Sequence, residues 1–189
     1  MSIFEHMIGR RCPVCDAGPE SASLFRSASI RAEDLSAFTF ASRKTPEFMS
    51  LNLVKCGACA TVYATEAPPE SALSEAYSDA AYDSSAEAAL AAESYIRALR
   101  PHLRLGGGSM SALEIGAGTG VFLERLMDAG FGQVVGVEPS VSAIMEASPR
   151  VPEHIRTGIF NCQDFEEDSF DLICCFQTLE HVADPRAIA

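Results

Sequence analysis

The C-terminal half of the chain alternates short, nearly continuous apolar runs with amphipathic stretches. Leu113-Glu114-Ile115, Gln133-Val134-Val135-Gly136-Val137, Ile155 to Phe160 and the run from Phe170 through Leu172, Ile173, Cys174 and Cys175 to Phe176 all have strand length. Their apolar character suits strands covered on both faces, as in a parallel sheet. Between the first two lies Val121 to Ala129, an amphipathic helix stopped by Gly130. Ser140 is placed to cap a second helix reaching about Ser148, which Pro149 and Pro152 close. Strands alternating with helices predict an α/β unit. Asp184-Pro185 then reads as a further helix start, with Asp as cap and Pro in the first position.

Upstream the periodicity weakens. Pro68-Pro69 opens a short helix through Glu70, Leu73 and Tyr77, and Ser84 or Ser85 caps a longer one over about 86–99, before Pro101. Leu90, Ile96, Leu99 and Leu103 give that helix an imperfect apolar face, and Glu93 with Arg97 is a favourable i,i+4 pair. Gly106-Gly107-Gly108 separates this connector from the first strand of the α/β unit. Nearer the N-terminus, Phe38-Thr39-Phe40 and Leu51 to Val54 have strand-like composition.

Two cysteine pairs flank that segment: Cys12-Pro13-Val14-Cys15 and Cys56-Gly57-Ala58-Cys59. A CxxC turn lets two thiolates reach one ion, and two such turns complete a tetrahedral S4 zinc site that is structural, with no open position for chemistry. The 40 residues between Cys15 and Cys56 exceed the usual ribbon spacing and have room for a small hairpin. The competing reading is a thioredoxin-type redox pair, which sits at the head of a helix. Here turn residues flank both pairs, which favours a metal held by Cys12, Cys15, Cys56 and Cys59.

Composition narrows the classes. With 189 residues, 48% of them hydrophobic, the chain can bury one modest core and a small appendage. A net charge of −12 argues against nucleic acid as the main partner, because phosphate binding needs a basic surface. No stretch approaches the roughly 18 apolar residues of a membrane span. Met1 to His6 lacks the regions of a signal peptide. Seven cysteines, four of them in CxxC pairs, suit a reducing compartment, so a cytoplasmic location without a membrane partner is expected.

Chemistry concentrates at Leu113-Glu114-Ile115-Gly116-Ala117-Gly118-Thr119-Gly120, a strand breaking into a glycine turn before a helix. Such a turn lets a ligand lie against bare main chain. A dinucleotide fingerprint fails at Val121, where its third glycine would stand, and no Gly-Lys-Ser/Thr follows for a Walker loop. What remains is acidic-x-Gly-x-Gly-x-Gly. The next strand ends in Glu138, 18 residues beyond Gly120, where a carboxylate can accept ribose hydroxyls.

Together with the run Phe170 to Gln177 and the following Leu179-Glu180-His181-Val182, these motifs resemble the class I S-adenosylmethionine-dependent methyltransferases. The resemblance covers residues 110–182 by motif and about 10–189 loosely. It implies a Rossmann-like parallel sheet with helices on both faces and strand order 3-2-1-4-5-7-6, of which this sequence supplies the first four. It also resembles methyltransferases that carry an N-terminal zinc-binding module, including sugar and polysaccharide-pathway members. The organisation expected is a zinc-ribbon-like module at 1–65, a helical connector at 66–107 and a cofactor-binding half-domain at 108–189, truncated after strand 4.

The site that the resemblance implies for S-adenosylmethionine comprises Glu114, Gly116, Ala117, Gly118, Gly120, Glu138, Pro139, Phe160, Asn161 and Gln177. Which group meets the adenine amine stays open among Asn161, Gln163 and the backbone, with Asp164 too far along. Phe160 packs either on adenine or in the core. Tyr77 and Tyr82 lie either over the pocket or at the sheet edge. Methyl transfer from a sulfonium is an in-line displacement that needs orientation and removal of the acceptor's proton. His181, with Glu180, is the candidate base, the alternative being a structural or substrate-lining role. The acceptor expected is a small molecule, such as a sugar or another metabolite. With strand 4 as an open edge, this chain is expected to be a poor enzyme prone to self-association. A non-catalytic zinc-binding adaptor with a vestigial Rossmann half is the alternative reading. A nicotinamide oxidoreductase is disfavoured by Val121.

Overall fold

The computed structural model describes residues 6–42, 44, 48–103 and 109–189. The Gly106-Gly107-Gly108 separator and Met1 to Glu5 lie outside the described residues. The N-terminal module is built from β1 (Ile8–Gly9), β2 (Ser23–Arg26), β3 (Leu53–Lys55), β4 (Val62–Ala64) and β5 (Glu66–Ala67). β1 pairs antiparallel with β5, and β2-β3-β4 form a three-stranded antiparallel sheet. Its core is small: Cys12, Cys56 and Tyr63, with Ala17 and Val54 against them. So few apolar groups do not hold a module of this size by themselves.

Two strand expectations in this module need correction. Phe38-Thr39-Phe40 lies in a turn, because Ser36 and Thr39 offer the backbone side-chain partners that compete with a ladder. Phe38 N–H donates to Ser36 Oγ at 3.2 Å and Ser36 N–H to Thr39 Oγ1 at 2.9 Å. The other strand starts at Leu53 rather than Leu51, since Asn52 Oδ1 is drawn aside to accept from Ala28 N–H at 2.8 Å.

The connector holds α1 (Glu70–Ser78) and α2 (Ser85–Leu99), both where the prolines and serines place them. Ser84 occupies the cap position without capping. Its buried hydroxyl meets Ser42 Oγ at 2.7 Å instead. The buried face of α2 is carried by Ala92 and Ile96, whereas Leu90 is 73% exposed. Glu93 reaches across to Arg125, 3.6 Å away.

Beyond the connector come β6 (Met110–Ile115), α3 (Val121–Asp128), β7 (Phe131–Glu138), α4 (Val141–Met145), β8 (Ile155–Thr157), β9 (Leu172–Cys174) and α5 (Pro185–Ile188). The four strands form one parallel sheet in the order β8-β7-β6-β9, the expected 3-2-1-4. Side chains alternate across it. Ala112, Val134 and Cys174 face α2 and α3 in a core with Ile96, Phe122, Leu123 and Leu126. Leu113, Ile115 and Val137 face the other way, against Phe160, Phe165, Phe170 and Ile188 of α5.

The central strands match the sequence closely, and the outer elements are shorter. α4 stops at Met145, and Ser148 turns its hydroxyl to Glu124. β8 stops before Gly158, whose φ of 141° breaks the strand. β9 is an edge whose Ile173 is 60% exposed, so the cover expected on both faces of the fourth strand is incomplete. Among the described residues no helix is long and apolar enough to cross a membrane.

Candidate cofactor site and metal centre

The C-terminal ends of β6 and β7 are tied together by the glycine turn. Gly116 N–H and Ala117 N–H both donate to Val137 C=O, at 2.9 and 3.0 Å. Gly116 has φ 80°, and a side chain there would strike that of Thr178. Gly118 has φ 54°, but nothing lies within 4 Å of where its Cβ would be, so the main chain there is bare and open. One glycine is therefore required for packing and the other leaves backbone for a ligand.

Glu138 is buried where this turn meets α4. Its Oε2 accepts from Gly118 N–H and its Oε1 from Ser140 N–H, each at 2.8 Å. Burial pushes its carboxyl above the ordinary carboxylate value, and the N–H donors of Ser140 and Gly118 pull part of that back. A carboxylate oxygen has two acceptor positions, so both oxygens keep one for a ligand. Ser140 holds α4 in place by accepting from Ala143 N–H at 3.2 Å.

Glu114 lies one strand over, only 5% exposed. Its Oε2 is buried with no hydrogen-bond partner among the described residues. Burial pushes its carboxyl well above the ordinary value of 4.5, and the Glu138 charge adds to the push. A buried carboxyl with an oxygen that lacks a partner among the described residues fits a ligand that brings positive charge, because such a group is costly until it is matched.

A further group of sequence candidates lies where β9 ends. Gln177 has φ 51°, a left-handed conformation that a non-glycine residue seldom takes. Glu180 and His181 follow on one exposed turn of 3-10 helix, Leu179–His181. The His181 ring stands edge-on to Tyr77 of α1, with centroids 6.1 Å apart. Burial raises the Tyr77 phenol to about 12, and the Glu180 and Glu138 charges add to it. Cys174 is buried and pushed to about 12 by that burial, which suits packing and not nucleophilic chemistry.

Three further sequence candidates follow β7 and β8. Pro139 follows Glu138 and is half-buried. Phe160 stacks on Phe165 at 5.7 Å and packs against the Leu113, Ile115 and Val137 cluster. Asn161 folds its Oδ1 back to accept from Gln163 N–H at 3.0 Å. Sequence reasoning missed Thr178 and Phe40, whose ring lies edge-on to Tyr77 at 5.6 Å. Neither carries a local signal, since both act through contacts between distant segments.

In the N-terminal module the sulfur atoms of Cys12, Cys15, Cys56 and Cys59 all lie within 4.8 Å of one another. The pairs Cys12–Cys59 and Cys15–Cys56 are 3.6 Å apart. Four thiolates around one zinc at the usual bond length stand about 3.8 Å apart, so the set fits that ion. The two turns have matching geometry. Asp16 N–H returns to Cys12 C=O and Ala60 N–H to Cys56 C=O, with Asp16 and Ala60 both at φ 62°. Thr61 holds the Cys59 thiol down to about 6, by its hydroxyl and then its backbone N–H, which favours the ligating form. The Tyr63 hydroxyl is buried beside Cys12 and Cys56 with no hydrogen-bond partner, and a thiolate there would supply an acceptor.

Known proteins share this architecture in part. Residues 85–189 match the methyltransferase domain family, starting at α2 and covering the whole parallel sheet. A ubiquinone biosynthesis O-methyltransferase of Idiomarina loihiensis is 33% identical over 82 residues, 40% of this chain and 33% of that protein. The corresponding enzyme of Hydrogenovibrio crunogenus is 30% identical over 83 residues, 40% of this chain and 34% of that protein. A further methyltransferase, from Mycolicibacterium gilvum, is 34% identical over 82 residues, 41% of this chain and 31% of that protein. The match thus spans about a third of the length of these relatives. With the family match extending over more than half of the chain, and with the strand order, glycine turn and acidic strand ends in place, the chain belongs to the class I S-adenosylmethionine-dependent methyltransferases.

Proposed function

We propose that this chain binds S-adenosylmethionine across the glycine turn and serves methyl transfer to a small-molecule acceptor, a sugar or another metabolite. The observation that carries this reading is the buried Oε2 of Glu114, without a hydrogen-bond partner among the described residues, on the strand that runs into the glycine turn. When bound, the cofactor supplies an electrophilic methyl group on a positively charged sulfur. Glu114 supplies negative charge to a cationic ligand in a setting where charge is weakly screened. Glu138, already fixed by two N–H donors, offers its remaining lone pairs to the ribose hydroxyls. Ala117, Gly120, Pro139, Phe160, Asn161 and Gln177 line the rest of the pocket. His181 takes the acceptor's proton, with Glu180 preceding it on the same turn. Two relatives are named for O-methylation in ubiquinone biosynthesis, which supports a small acceptor.

In the same reading the four cysteines hold one structural zinc, and the reduced thiols suit a cytoplasmic setting. S-adenosylmethionine with a labelled methyl group, mixed with the protein and small sugar and phenolic acceptors, is the test. Label is expected in the small-molecule fraction, at a rate lowered by His181→Ala. Label passing into protein or nucleic acid instead would contradict the assignment of acceptor class.

A further inference from the structure

The parallel sheet and its helices leave His181 on an exposed single turn, and the ring that meets it comes from outside the residues matched to the methyltransferase family. Tyr77 lies on α1, and Phe40 lies further back still, between the two cysteine pairs. Phe40, Tyr77 and His181 form a chain of edge-to-face rings, with centroids 5.6 and 6.1 Å apart and interplanar angles of 84° and 67°. Edge-to-face pairs fix ring orientation as well as burying area.

The segment that carries Phe40 is fastened to the connector on both sides of the ring. Ala81 N–H donates to Ala37 C=O at 2.8 Å. Ser42 Oγ meets the buried Ser84 Oγ at 2.7 Å, and Lys44 N–H donates to Asp83 Oδ1 at 3.1 Å. These bonds hold the turn against the connector, and the turn presents Phe40 to Tyr77.

We infer that Phe40 is a positioning residue for the methyl-transfer site: the segment between the cysteine pairs holds Tyr77 in place, and Tyr77 in turn orients the His181 imidazole. The inference rests on His181 being part of that site, as proposed above. It makes the N-terminal module a working part of the acceptor wall, so the two halves of the chain are functionally coupled.

The chain has four histidines, so their imidazole Hε1 signals can be resolved by NMR at a pH where the rings are neutral. His181 is assigned by the signal lost in His181→Gln. In Phe40→Ala that signal is expected to shift while those of His6, His102 and His154 stay put, and Phe40→Tyr, which keeps a ring, should restore it. An unmoved His181 signal in Phe40→Ala would overturn the inference. So would equal movement of all four signals, which would mean a general structural role. The readout needs neither cofactor nor acceptor. A His181 signal that responds to Phe40 in a protein whose methyl transfer is indifferent to His181→Ala would leave the positioning intact and sink the assignment of the base.

Discussion

At Glu114 the chain keeps a carboxyl buried whose Oε2 has no hydrogen-bond partner among the described residues. A folded-state carboxyl held above its ordinary 4.5 binds a proton more tightly than in the unfolded chain. Its contribution therefore favours folding below that value and is lost as pH rises through the raised folded value. Glu114→Gln should accordingly raise the melting temperature at pH 8 more than at pH 4.5, in the absence of ligand, and should weaken cofactor binding. Thermal scans at the two pH values check the first part; an equal shift at both would show that Glu114 is not held protonated. The placement of Glu114, the glycines and Glu138 on β6, its turn and the end of β7 was legible in the sequence, because periodicity locates those elements. The packing of Gly116 on Thr178 was not, since it joins residues from the ends of different strands.

Among elements, the legible ones are those whose pattern is strong along the chain. β6, α3 and β7 form the centre of the core, and the apolar runs of the two strands with the amphipathic pattern of the helix between them leave little choice of conformation. The lengths of β8, β9 and α4 depended on where Gly158, Asp171 and Ser148 found partners, which periodicity does not encode. Phe38-Thr39-Phe40 shows the same limit: strand-like residues were overruled by two nearby hydroxyls. The β6–α3 turn yields a prediction of its own. Gly116→Ala forces a side chain into φ 80° against Thr178, and the backbone term alone costs about 1–2 kcal/mol. The melting temperature should fall by about 2–4 °C per kcal/mol. A Gly116→Ala protein as stable as the parent would mean the turn relaxes freely.

For the whole molecule, the expectations concern the metal proposed for the N-terminal module and the edge of the parallel sheet. One zinc per chain is expected from metal analysis of protein purified without added zinc, and Cys56→Ser should unfold the N-terminal module while sparing the parallel sheet. A folded, metal-free module would contradict this. Because, among the described residues, β9 has a neighbour strand on one side only, with Ile173 exposed, the chain is expected to self-associate with rising concentration. Ile173→Lys should reduce that association in sedimentation runs. The central claim is that the glycine turn and Glu138 form the S-adenosylmethionine site, and calorimetric titration of the cofactor into the protein tests it most directly. The account predicts one site per chain, weakened about 10- to 150-fold in Glu138→Ala through the loss of about 1.5–3 kcal/mol of charge-assisted hydrogen bonding. No cofactor binding, or equal affinity in the Glu138→Ala protein, would contradict it.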